Sequence, residues 1–517
     1  LWGFLVVILA LVTFVLFVFR QIYQTGMGKR EKSPKKVKLF SGLMAIPIAI
    51  AVIGAVGWLA SQSFFPGNAE KYSTVLVTED ADFATDIPEV NYSEIPFIDK
   101  DSAILLGNRT MGTMADYVSQ FEISDLYSQI NYKGQPVRVS PLNYADFFKW
   151  WANKDGGIPA YVIVNMSTQD TEIVRLENPI RYSDSDPFFY NVDRHMQLSY
   201  PFYMFDEKSF EINDDGEPFW IYPVQKRTIG LFGGTTIQRV VLCNASTGEC
   251  QDFAIEDVPQ WVDRAYPAEL LIEQYNWSGA LSGGWINSWL GQNGVKQTTP
   301  STDGKSGFNY IAQDDDVWVY SGVTSATADN SIIGCVMINQ RTAESKFYSV
   351  AGATEESAMR SAEGQVQHLQ YDATFPLLIN VDGQPTYFMA LKDAAGLVKM
   401  YAMVDIQRYQ NVAVGDTLAA TEKSYKQLLV SQGINVGGSD ASAHPSAGST
   451  SGTIASISPV VLDGNSHYYL ILDGQQAIFD CPVASVVDVV RYKVGDVIVL
   501  NHGSSEGNVV LVDSIGE

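Results

Sequence analysis

Histidine and cysteine are scarce in this chain, five and four respectively among 517 residues. Four cysteines exclude a disulfide-dense scaffold. None stands at a spacing from histidine or another cysteine that fits a zinc site. The histidines, His195, His368, His444, His467 and His502, lie away from any nucleophile motif. The segment Trp277–Gly284 has Ala280 where a G-x-S-x-G elbow needs its first glycine. Ahead of Gly304-Lys305-Ser306, Thr299 stands where a phosphate-binding loop needs glycine. The run from Glu211 to Gly216 opens as a calcium loop does, but its closing position is Tyr222. Asp184, Asp186 and Asp314–Asp316 read as turn and cap residues, with nothing to set two of them at a working distance for glycoside hydrolysis. No catalytic, cofactor-binding or metal-binding residue is expected, and the chain does not read as an enzyme.

Positive charge is also scarce over most of the length. Seven of the 34 Lys and Arg fall in the first 65 residues. Beyond them 27 basic residues face 57 acidic ones, a balance of −30. That argues against nucleic acid as a partner and for solubility. Long uncharged apolar runs are missing there too, yet two precede it. Leu1–Phe19 and Leu39–Phe65 are each long enough to cross a bilayer core. Between them lie Arg20, Lys29, Arg30, Lys32, Lys35, Lys36 and Lys38 against one acid, Glu31. Basic short loops stay cytoplasmic. A secretory signal places its charge before the apolar core, whereas here the charge follows. The expectation is two transmembrane helices over 1–65, with lipid as their partner, and an extracytoplasmic bulk at the cell membrane.

What the middle of the chain does contain is a recurring turn. An apolar run ends in Asn-x-x-Thr-x-acid at Asn165/Thr168/Asp170, Asn244/Thr247/Glu249 and Asn339/Thr342/Glu344. A Gly-x-Pro mark recurs at Gly134, Gly157, Gly216 and Gly383. Recurrence at this scale predicts repeated small β-rich modules. The Asn side chain bonds its own backbone two residues on, which opens the turn. Helices are expected after the return strands, at Val258–Tyr266, at Thr354–Glu363 with a capping residue and acids, and near Phe188–Tyr190 behind Asp184 and Asp186.

The stretch Val240–Asp252, strand then Asn-Ala-Ser-Thr-Gly-Glu then strand, resembles the PepSY-type module. The resemblance covers about a dozen residues per copy; the first copy lacks the glycine and the third has Ala343 there. It implies small α+β units with binding or inhibitory roles outside the cytoplasm.

The expected fold class is α+β. Its order is two helices (1–65), a stalk (66–104), an array of modules (105–432), a Gly/Ser-rich linker (433–452) and a last unit (453–517). A helix is expected over 416–432. The last unit reads as five strands, resembling an OB-type or SH3-like barrel.

Cys243 and Cys250 flank the second turn and form a candidate disulfide across it. Tyr275, Trp277, Trp285 and Trp289 are candidate partner-binding residues, the last two at i, i+4 on one face of a short helix. The functional expectation is a membrane-anchored scaffold that binds protein partners in an envelope complex and is free to oligomerise. The alternatives are a PepSY-type regulator of an extracytoplasmic protease or wall hydrolase, and a carboxylate-based glycan hydrolase.

Overall fold

In a computed structural model, residues 2–26, 32–89, 95–114, 116–300, 307–313, 315–326, 331–432, 448–462, 465–475, 477–483, 486–502 and 509–516 are described. Contacts divide the chain into two units, the first made of Leu1–Val77, Gln225–Gln238 and Glu273–Val295. It is a mixed α and β protein with two apolar N-terminal helices and antiparallel sheets.

In the first unit, the helices Trp2–Thr25 and Pro34–Ala60 are both long and apolar enough to cross a membrane. Pro34 opens the second at a first-turn position, where its missing N–H costs nothing. Phe19 and Tyr23 of the first helix stack on Phe40 of the second at 5.5 and 5.7 Å. The end of the second helix is capped from downstream. The Asn68 amide donates to the carbonyls of Ala60 and Gln62, and the Tyr72 hydroxyl donates to that of Ser61. Tyr72, Ile229 and Leu281 form a small core, with Trp277 packed on it.

The second unit holds four antiparallel meanders. The first runs Ser128–Tyr132, Gln135–Tyr144, Ile158–Asn165, Thr171–Ile180. The second runs Ser209–Ile212, Pro218–Ile229, Gly233–Asn244, Cys250–Ala254, with the tip of its long hairpin in the first unit. The third runs Asn309–Gln313, Asp316–Ser325, Gly334–Asn339, Ser345–Tyr348. The fourth runs Leu377–Val381, Gln384–Lys392, Val398–Asp405, Val412–Gly415. Their inner strands are rich in Val, Ile, Tyr and Phe because they are buried on both faces. Lys133-Gly134 and Asp382-Gly383 join first and second strands with positive φ at both residues, the tight turn that suits strand twist.

Third and fourth strands are joined by the asparagine turn. The Oδ1 of Asn165, Asn244 and Asn339 each accepts the N–H groups two and three residues on, at 2.8–3.0 Å. In all three the threonine hydroxyl then accepts the N–H of the acid. In the fourth meander Asp405 takes the asparagine's place, accepting from Gln407 and Arg408, over a longer turn closed by Asn411.

The meanders follow one another in a circuit. Phe210 N–H of the second donates to Ser128 Oγ of the first. Tyr266, after the second, donates its N–H to the Gln340 carbonyl of the third. Ala353, after the third, donates to Ile406 of the fourth. Tyr401 of the fourth meets Phe97, ahead of the first, at 5.1 Å.

The last strands pair in the order Gly448–Leu462, Asn465–Leu472, Ile478–Pro482, Val509–Gly516, Val497–His502, and the last returns to the first. Leu470, Phe479 and Leu500 fill the ring they close.

Several expected boundaries move. The stretch 66–104 contains the helix Asn68–Ser73 and the strand Thr78–Ala81, which pairs with Ser345–Tyr348, so it is not an irregular stalk. Of the expected linker, 433–447 lies outside the described residues and 448–452 is strand. Val258–Tyr266 is not helical, because its backbone is used otherwise: Asp263 and Arg264 donate N–H to the buried Glu211 carboxylate. The helix expected near Phe188 begins later, at Val192, capped by Asn191. The helices Glu355–Gln365 and Leu418–Ser431 form where expected, capped by Thr354 and Thr417.

Candidate thiol–imidazole site

The second asparagine turn sets its flanking residues face to face. Asn244 N–H donates to the Glu249 carbonyl, so that pair is the hydrogen-bonded one. Cys243 and Cys250 are the next cross-strand partners. Theirs is therefore the non-hydrogen-bonded type, with Cα atoms ~4.5 Å apart. Cys243 is buried, Cys250 is half-buried, and both are free thiols.

The helix Val192–Ser199 brings two more groups. Asn191 caps it by accepting Arg194 N–H, and Val192 and Met196 anchor it in the core. Consecutive residues His195 and Met196 then reach the hairpin. His195 Nε2 lies 2.8 Å from the Gly248 carbonyl and 3.5 Å from Cys250 Sγ. A carbonyl only accepts, so in this state Nε2 carries the proton. Met196 Sδ lies 3.6 Å from Cys250 Sγ. One ligand atom each from His195, Cys243 and Cys250 falls within 4.8 Å of the others. Tyr182 lies against the imidazole at 4.5 Å between centroids.

The two thiols differ electrically. The hydrogen bond from Cys243 lowers the Cys250 thiol to about 6, assisted by His195 and opposed by burial. The same hydrogen bond, and burial, push Cys243 far up. Cys243 is therefore the thiol that keeps its proton, and its Sγ lies 3.9 Å from the Asn244 carbonyl. Such a group can coordinate a soft metal ion, form a cross-strand disulfide or present a thiolate. Sequence reasoning paired the cysteines but did not find His195 or Met196, which no local spacing connects to them.

The aromatic candidates divide. Tyr275 is buried, and Trp277 meets the ring edge of Tyr72 at 5.0 Å, so both serve packing. Trp285 and Trp289 are exposed and stack at 6.2 Å, on a short helix that is π-helical over Asn287–Gly291. A larger set, of which the sequence pointed only to Trp151 and the stretch at Phe188, lies elsewhere. Phe147, Phe148 and Trp151 on the helix Phe147–Asn153 are exposed, as are Phe188 and Phe189, the last at 89%. Phe147 and Phe188 meet at 6.5 Å. Trp150 beneath them is buried and donates its indole N–H to Asp186 at 2.7 Å.

The acids serve structure. Asp186 also accepts from Phe188 and Tyr190, Asp184 pairs with Lys208 at 2.8 Å, and Asp316 takes both ends of the Arg341 guanidinium at 2.7 Å. Asp314 lies outside the described residues. Glu211 is buried and accepts from Ser209 Oγ and two backbone N–H groups, which is not a calcium ligand's position. Burial raises both Glu211 and its neighbour Asp263.

No protein-family model and no curated protein matches the chain. Among solved structures, a Synechocystis apocarotenoid oxygenase variant is 9% identical over 77% of this chain and 66% of its own, with a TM-score of 0.15. The chain thus spans just under two thirds of that protein. A B. megaterium levansucrase variant is 10% identical over 86% of this chain and 97% of its own, with a TM-score of 0.18. At those scores neither likeness bears on fold or activity.

Proposed function

We propose that this is a membrane-anchored extracytoplasmic protein whose four-meander body binds a protein partner and so organises a complex at the membrane surface. The observation that carries the reading is the exposed aromatic surface of Phe147, Phe148, Trp151, Phe188 and Phe189. Monomeric soluble proteins rarely leave so many contiguous aromatic rings in water. Aromatic anchors on a rigid base are what protein interfaces use, and the Trp150–Asp186 hydrogen bond supplies such a base. The strongly acidic body disfavours an anionic lipid surface as the alternative occupant.

The anchor is the pair of apolar helices. Trp285, Ile286, Trp289 and Leu290 belong to the same unit and are exposed, and Trp285 meets Phe64 at 6.1 Å, four residues beyond the second helix. Membrane–water interfaces favour tryptophan at this place. We assign these residues to lipid and the Phe148 surface to protein. The four meanders are read as copies of one module in a propeller-like circuit.

The test places a photoreactive phenylalanine at Phe148 or Phe189 of the full chain in intact cells, with Lys423 as control position. One protein adduct, shared by both aromatic positions and missing at the control, is expected. Adducts to lipid alone, or the same adducts at all three positions, overturn the reading.

A further inference from the structure

We propose that Cys243, Cys250, His195 and Met196 form a binding site for one soft d10 cation, with Cu(I) preferred to Zn(II). The inference is independent of the scaffold reading. Its first support is a comparison inside the molecule. The positions flanking the asparagine turn are Val164 and Thr171 in the first meander, and Ile338 and Ser345 in the third. The turn therefore closes without cysteine, so the turn does not account for a cysteine at both places in the second.

The second support is convergence from two separate elements. A hairpin supplies two sulfurs and a helix supplies an imidazole and a thioether at adjacent positions. With metal–sulfur bonds of about 2.3 Å and metal–nitrogen bonds of about 2.0 Å, neighbouring ligands of a tetrahedral ion lie roughly 3.5–3.8 Å apart. The imidazole nitrogen and the thioether lie 3.5 and 3.6 Å from Cys250 Sγ. These two donors thus already stand from Cys250 at about the separation that one ion imposes, and Cys243 Sγ lies within 4.8 Å of the Cys250 and His195 ligand atoms.

The third support is donor chemistry. Two thiolates and an imidazole suit either Zn(II) or Cu(I), but a thioether selects Cu(I). Met196 is fully buried beside the thiols, so it is held there by packing rather than by a fluctuating surface rotamer. Cys250 is half-buried, which leaves a path for the ion. Binding needs both sulfurs as thiolates, so Cys243 gives up its proton and Cys250 any that it still holds. It also requires His195 Nε2 to give up its bond to the Gly248 carbonyl and carry its proton on Nδ1 instead. A cross-strand disulfide would consume the same two sulfurs and abolish the site.

The experiment uses the full chain in detergent, reduced under anaerobic conditions and titrated with Cu(I) against a chromogenic Cu(I) chelator, and in parallel with Zn(II). One Cu(I) per chain is expected. C243S and C250S should each weaken it by on the order of 100-fold, and M196L by roughly 10-fold for Cu(I) with little change for Zn(II). Replacing the separately buried Cys335 and Cys481 should leave binding unchanged. Retention of Cu(I) by the C243S/C250S double variant at wild-type strength overturns the site. Should a variant fail to fold, the wild type decides alone. Cu(I) must protect Cys250 from alkylation, read by mass spectrometry of its peptide, and alkylation at the apo rate overturns the site. So does protein isolated from cells with the two sulfurs bonded and resistant to reduction in the folded state.

Discussion

The three asparagine turns share one backbone and differ in what that backbone holds up. In the first meander Thr168 and Asp170 are exposed and their side chains bond each other, while Met166 and Ser167 of the same turn are buried. In the third, Asn339 is buried and donates its amide N–H to Asp316, which also accepts from Gln260 and pairs with Arg341 of the same turn. In the second, the flanking pair is Cys243 and Cys250 with His195. The hydrogen bonds that define the turn are the same in each, so the turn is a frame. The residues in and beside it carry what is particular to each meander: an exposed threonine–aspartate pair in the first, soft ligands in the second, a buried ion pair in the third.

If that is right, the largest effect should come from the ion pair rather than from the turn. Arg341→Met leaves Asp316, 7% exposed at its side chain, with only the neutral donors Asn339 and Gln260. Removing one partner of a buried pair costs about 3–5 kcal/mol. Denaturant unfolding should show that loss, and a loss below that of an exposed pair would mean the ion pair is not what the third turn supports.

The third meander should also respond to pH. Glu355 is buried, accepts Gly322 N–H at 2.6 Å, and burial raises its carboxyl to about 7. The folded state then holds its proton more tightly than the unfolded one. The stabilisation is fully present below about pH 4.5 and is lost as pH rises through 7, up to about 3 kcal/mol in all. Glu355→Gln should flatten that part of the stability–pH curve. An unchanged slope would assign the titration elsewhere.

Gly248 separates backbone demand from packing. The same left-handed position is held by Gln169 in the first turn and Ala343 in the third, at φ 68° and 61°. A side chain is therefore tolerated there. At Gly248 an added Cβ would stand 2.2 Å from Tyr182, whose ring lies against His195. Gly248→Ala should cost about 1–3 kcal/mol by overpacking, while Ala343→Gly should move stability by less than about 1 kcal/mol. Similar effects at both positions would make φ, not Tyr182, the cause.

The frame was legible in the sequence and its contents were not. Local signals carried the three turns, the opposition of Cys243 to Cys250, the cap at Thr354, the helix within 416–432, and the two apolar helices, because each is fixed by residues a few positions apart. The fourth meander escaped because Asp405 replaces asparagine, no threonine follows, and the turn is longer. His195 and Met196 escaped because only the packing of their helix on the hairpin joins them to the cysteines. Trp285 and Trp289 read as one helix face and do stack, but the π-helical segment Asn287–Gly291 that holds Trp289 has no sequence mark of its own. The Phe148 surface was hidden for the opposite reason: in sequence, Phe147 to Trp151 has the composition of a buried segment, and only Trp150 is buried.

The smallest effect belongs to the first turn and tests whether the frame itself is worth much. Thr168 Oγ accepts Asp170 N–H at 3.3 Å and donates to its carboxylate at 2.6 Å, both in solvent. Water replaces exposed bonds of this kind at little cost, so Thr168→Ala should lose only about 0.5 kcal/mol, at the bottom of the range for a hydrogen bond. Asn165, by contrast, still satisfies two backbone donors without it. A melting-temperature shift as large as that of Arg341→Met would reverse the comparison, because it would place the stability of the meanders in the turn and make the ion pair and the cysteine cluster its dependents.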